Sequence, residues 1–150
     1  MDSDWAVKFS VSGALLTYAS CPVHWFAKTQ RSVSLSSTEA EYFAAMMIAR
    51  DGCHLRDVLS DLKFTCSGAT VIRSDNQGVI DLSLDAVAFK KTKHIMRSAE
   101  FLRDLCLRGV FAVKWISGEQ NPADLLTKPQ DLATFRALMK ILDHLDGIIV

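Results

Sequence analysis

The spacing of apolar and polar positions changes several times along the chain, and each change predicts an element. The first third alternates near the strand period. Val7 to Tyr18 carries Gly13 and the apolar run at 14–16, Val23-His24-Trp25-Phe26 follows an interruption at Pro22, and Ser32-Val33-Ser34-Leu35-Ser36 alternates strictly. These pieces read as two or three hairpin-linked antiparallel strands. Trp25 is read as a core residue in preference to a surface contact.

The period then lengthens. Tyr42, Ala45, Met46, Ala49, Cys53, Leu55, Val58, Leu59 and Leu62 fall at three- and four-residue steps and predict a long amphipathic helix with Gly52 as its weak point. Ser36 with Glu39, or Thr38 with Glu41, supplies a capping box at its start. Ala69 to Ser74 reads as a short buried strand ending at Asp75, followed by helices over Val79–Leu84 and Thr92–Arg108, the latter stopped by Gly109. Val110 to Ile116 is a further strand, Asn121-Pro122 opens a helical turn, and Leu132, Phe135, Leu138, Met139, Leu142 and Leu145 stripe a last helix. Strands first, then helices interleaved with strands, predict an α/β sheet covered by helices.

Length and composition fit one domain. The 150 residues are 49% hydrophobic and 23% charged, enough for a single core and unlike a disordered chain. The longest apolar run, Phe43 to Ala49, is too short to cross a bilayer, and no signal peptide is readable, so the chain reads as intracellular, cytoplasmic or nuclear. Cysteines 21, 53, 66 and 106 form no CxxC pair and read as buried or half-buried thiols of a reducing compartment. The net charge of zero conceals an uneven distribution. Between Lys90 and Lys114 seven basic residues face two acidic ones, leaving that segment at +5 and the remainder at −5.

Four carboxylates stand at element ends: Asp2, Glu41, Asp75 and Asp124. Each alone reads equally well as a helix cap or a dipole partner. Asp75 differs in ending an apolar strand at the carboxyl edge of a sheet, where open α/β sheets hold their ligands. Brought together, the four would make an all-oxygen site suited to Mg²⁺ or Mn²⁺. Two such ions about 3.5–4 Å apart can hold the attacking and leaving oxygens of a phosphodiester.

The residues around these carboxylates carry a resemblance. Asp2-Ser3-Asp4-Trp5-Ala6, Ser34-Leu35-Ser36-Ser37-Thr38-Glu39-Ala40-Glu41-Tyr42, Ser74-Asp75-Asn76-Gln77-Gly78, Lys91-Thr92-Lys93-His94-Ile95 and Asn121-Pro122-Ala123-Asp124-Leu125-Leu126-Thr127-Lys128-Pro129 occur in that order. Together they resemble the ribonuclease H domain of copia-type LTR retrotransposon polyproteins, over about residues 2 to 129. The resemblance implies a ribonuclease H-like fold, a mixed five-stranded sheet flanked by helices. It implies endonucleolytic hydrolysis of the RNA strand of RNA–DNA hybrids during reverse transcription, with two Mg²⁺ or Mn²⁺ ions held by Asp2, Glu41, Asp75 and Asp124 as catalytic residues. Hybrid contacts would come from Ser74, Asn76 and Gln77 and from Lys90, Lys91, Lys93, His94 and Arg97. Trp25 and Lys28 are further candidates for such contacts. The reverse transcriptase domain of the parent polyprotein would be the protein partner.

Two departures from the family pattern stand out. The loop Ser117-Gly118-Glu119-Gln120-Asn121 lacks the His that cellular ribonucleases H carry before the last Asp, so the proton must move by another route. Asp2 follows only Met1, whereas the family's first Asp lies within a central strand, so that strand is expected to be truncated. The alternative is a non-catalytic retroelement remnant that binds nucleic acid or a protein partner. The retention of all four carboxylates argues against it.

Overall fold

The structure is a computed structural model. It describes residues 11–29, 37–64, 66–84 and 93–150, with the backbone alone for 37–40, 82 and 93–99. Five strands and five α-helices follow in the order β1 (Val11–Tyr18), β2 (Cys21–Thr29), α1 (Ser37–Asp61), β3 (Thr70–Ser74), α2 (Gln77–Leu84), α3 (Lys93–Leu107), β4 (Phe111–Trp115), α4 (Asp124–Thr127), α5 (Leu132–Leu142) and β5 (Gly147–Ile149). The strands form one mixed sheet in the order β2-β1-β5-β3-β4, the α/β architecture of a ribonuclease H-like fold.

β1 and β2 form an antiparallel hairpin through a two-residue turn. Its residues, Ala19 and Ser20, both lie at positive φ, the backbone shape that matches the strand twist. The expected break at Pro22 is absent. Pro22 sits inside β2 opposite Thr17, at a register shift, and an edge strand tolerates its missing N–H. Trp25 is 58% exposed on this outer strand, which corrects its reading as a core residue. The predicted strand at 32–36 lies outside the described residues.

The centre of the sheet departs most from expectation. The resemblance implies that the strand bearing Asp2 lies there, and the apolar stripe predicts a helix as the last element. Residues 1–10 lie outside the described residues, and the central position belongs to β5. β5 runs antiparallel to β1, pairing Leu15 with Ile149 and Leu16 with Ile148. It runs parallel to β3, pairing Ile72 with Ile148. Gly147 is required at its start: φ is +116°, and a Cβ there would collide with the Val71 carbonyl. A central strand is covered on both faces, so Ile148-Ile149-Val150 is an uninterrupted apolar run, all buried.

Helices cover both faces. Ile148 joins Ala14, Leu16, Tyr42, Ile48, Ile72, Leu102 and Phe111 in the main core beneath α1 and α3. Ile149 faces the other way, into a smaller cluster with Leu15, Ala123 and Leu142. α1 runs unbroken through Gly52, because the missing side chain admits Phe111 and Ile148 against the helix. α5 is capped by Asp131, which accepts from the Thr134 N–H at 2.8 Å. Only part of its apolar stripe is core: Leu138 and Leu142 are buried, whereas Leu132, Phe135 and Met139 are exposed. All four cysteines are free thiols; Cys21 is exposed, and burial pushes Cys53 and Cys106 up, away from the reactive thiolate. Among the described residues no helix is long and apolar enough to cross a membrane.

Candidate active site

Asp75 takes its place from the end of β3. The three parallel strands β5, β3 and β4 point their carboxyl ends to one edge, and Asp75 is the first residue past that edge. Ile116 donates to the Ser74 carbonyl at 3.0 Å and ties the ends of β3 and β4 together. Ser74 is fully buried, and its hydroxyl accepts from the Asn76 N–H at 3.2 Å. The Asn76 side chain accepts from the Gly78 N–H at 2.9 Å and closes the turn into α2. Ser74 and Asn76 therefore shape the turn that presents Asp75, while Gln77 is exposed and donates to Asp81.

Glu41 lies one turn into α1 on the helix face turned toward that edge, and Asp124 opens α4 beyond β4. An Asx turn sets Asp124: the Asn121 side chain accepts from the Ala123 N–H at 3.0 Å and donates to the Val150 carbonyl at 3.0 Å. The buried Asn121 thus ties the turn before α4 to the end of β5. Gly13 lets β1 come up against α4, since a Cβ there would stand 2.6 Å from Thr127 Cγ2. Glu41, Asp75, Asn121, Asp124 and Lys128 line one cavity of about 330 Å³ that reaches from Gly13 to Val150.

The charges in this cavity act on one another. Burial raises the Glu41 carboxyl above its ordinary value, and the negative charges of Asp75 and Asp124 push it the same way. A hydrogen bond from Asn76 and the charge of Lys128 oppose the rise. One carboxylate oxygen of Glu41, Oε2, is buried without a hydrogen-bond partner. Lys128 Nζ donates to both oxygens of Asp124, at 2.8 and 2.9 Å. That bond holds the ammonium above its ordinary value, with further contributions from Asp75 and Glu41. Among the described residues no three Asp, Glu, His or Cys side chains stand close enough to chelate one ion.

Three of the four predicted carboxylates thus converge, and the fourth, Asp2, lies outside the described residues with Lys90 and Lys91. Lys93, His94 and Arg97 fall on α3, with the backbone alone described. Sequence reasoning missed Lys128, although it stands in the Asn121–Pro129 motif four residues after Asp124. It also missed Asn121, whose signal was an Asn before a Pro at a helix start, and the pair of His24 with Asp51 at 3.0 Å.

No protein-family model matches the chain, and no solved structure matches it. Curated relatives do. The Pol polyprotein of transposon TNT 1-94 from Nicotiana tabacum, described as retrovirus-related, is 35% identical over 119 residues, which is 79% of this chain and 9% of the relative. Those of transposons RE2 and RE1 from Arabidopsis thaliana are 31% and 30% identical over 139 residues, 90% of this chain and 10% of each relative. The matched stretches are long and span most of the chain, which itself corresponds to about a tenth of each relative's length. The chain belongs to the family of retrovirus-related Pol polyproteins of copia-type transposons.

Proposed function

We propose that this segment is a ribonuclease H, a metal-dependent endonuclease that hydrolyses the RNA strand of RNA–DNA hybrids. The observation that carries the reading is the convergence of Glu41, Asp75 and Asp124, from three separate elements, on one cavity at the carboxyl edge of the parallel strands. The donor set is all oxygen, as Mg²⁺ and Mn²⁺ prefer. The partnerless buried oxygen of Glu41 and its raised carboxyl mark a place where positive charge is wanted. Glu41, Asp75, Asp124 and Asp2 would hold two ions. When bound, such ions supply Lewis acidity toward the phosphodiester and a pair of positive charges for the developing negative charge.

The chain's own residues do the rest. Asn76 donates to Glu41 and fixes its carboxylate. Ser74 and Asn76 hold the turn so that Asp75 keeps one orientation. Gln77, exposed at the start of α2, would meet the minor-groove edge where the 2′-hydroxyl distinguishes RNA from DNA. The basic segment 90–114 grips the backbone without regard to sequence. The reverse transcriptase region of the polyprotein would supply the hybrid.

A second reading, a domain that binds hybrid without cutting it, is favoured by the absence of a chelating triple among the described residues. One experiment separates the two. The purified chain is incubated with Mg²⁺ or Mn²⁺ and an end-labelled RNA–DNA hybrid, beside duplex RNA, duplex DNA and an Asp75→Asn variant. Cleavage of the hybrid's RNA strand alone, lost in the variant, is the expected result. Hybrid binding without cleavage by the folded chain supports the second reading.

A further inference from the structure

Among the described residues that line the acidic cavity Lys128 is the cation, and it stands one helical turn after Asp124. α4 spans only Asp124–Thr127, and Lys128 follows it in extended backbone, with φ −133° and ψ 140°. Its backbone N–H still closes the last turn on the Asp124 carbonyl at 3.0 Å, which sets the side chain over Asp124, and the ammonium gives two hydrogen bonds to that one carboxylate. Asp124 is well covered, its side chain 19% exposed, so the ammonium meets it partly out of water, where charge-assisted bonds are strong. Lys128 also lines the cavity with Glu41 and Asp75 and interacts electrostatically with both.

We propose that the Lys128 ammonium is the resident counter-cation of this carboxylate cluster, and that a divalent ion must displace it from Asp124 in order to bind. The inference rests on the metal-dependent reading of the site given above. Three carboxylates facing one cavity repel one another, and a single positive charge relieves part of that repulsion. An ammonium donates hydrogen bonds and does not draw several oxygens into one coordination shell. The cluster therefore stands open, with no three ligands at chelating distance among the described residues. A divalent ion carries twice the charge and coordinates directly. It gains the cluster only by taking the Asp124 oxygens from Lys128, so the two cations are mutually exclusive there and their affinities are linked.

The test is Mn²⁺ binding to the full chain by titration calorimetry, without nucleic acid, for the wild type, Lys128→Gln and Lys128→Arg. The Lys128 side chain is 59% exposed, so its replacement opens no core cavity, and circular dichroism of each variant checks that it is folded. Lys128→Gln is expected to bind Mn²⁺ at least about fivefold more tightly than the wild type, with Lys128→Arg close to the wild type. Equal or weaker binding by Lys128→Gln, beside measurable binding by the wild type, overturns this proposal and leaves the metal reading standing. No Mn²⁺ binding by any of the three proteins overturns both.

Discussion

At Glu41, burial and the charges of Asp75 and Asp124 all favour the protonated carboxyl. The folded protein therefore binds that proton more tightly than the unfolded chain. The stability this provides is fully present below the ordinary Glu range and is lost as pH rises through the raised value. Above that raised value the metal-free protein carries a carboxylate that Asn76 and Lys128 ease only in part, with Oε2 buried and without a hydrogen-bond partner. Glu41→Gln keeps the shape and an acceptor for Asn76 while removing the charge. In the absence of divalent ions it is expected to raise Tm at pH 7 by roughly 2–4 °C, about what 1 kcal/mol yields at this size. The same variant flattens the fall in Tm between acid and neutral pH. Thermal melts across pH check both, and a Tm at or below wild type at pH 7 contradicts them. This cluster was legible in the sequence because Glu41, Asp75 and Asp124 sit in motifs at element ends. Lys128 was not, because a Lys four residues past an Asp is ordinary on any helix, and only the coverage of Asp124 inside the cavity sets this pair apart.

Among the elements, β5 changes the picture most. Three residues complete the sheet between β1 and β3, and Ile148 is fully buried against Leu16, Ile72 and Phe111. Ile148→Ala is expected to cost about 2–5 kcal/mol in urea unfolding, as for other buried truncations, although it lies near the end of the sequence. A cost under about 1 kcal/mol would mean that β5 is a frayed end and not a structural strand. Long elements were readable because their period repeats many times: the stripe of α1 survives even Gly52. β5 was not, since three apolar residues after a helix carry no period. The outward Leu132, Phe135 and Met139 of α5 fell to the same weakness, because an apolar stripe records spacing and not which side is covered.

For the whole molecule, a net charge of zero hides an uneven distribution: +5 over residues 90–114 and −5 elsewhere, with three acids gathered in one cavity. On the proposed function, backbone grip by the basic segment would make hybrid binding electrostatic. Its affinity is expected to fall at least about tenfold between 50 and 200 mM salt, since even a few phosphate contacts give that slope. Binding that ignores salt over this range would remove the segment from the interface. The central claim is that Glu41, Asp75 and Asp124 act as one divalent-metal site. The most direct test measures hybrid cleavage against Mg²⁺ concentration for Glu41→Gln, Asp75→Asn and Asp124→Asn, each shown to be folded by circular dichroism. Each substitution alone is expected to lower the cleavage rate by about 100-fold or more, the scale on which single active-site electrostatic contacts act. Near wild-type cleavage with an unchanged Mg²⁺ dependence in any one of them would contradict it.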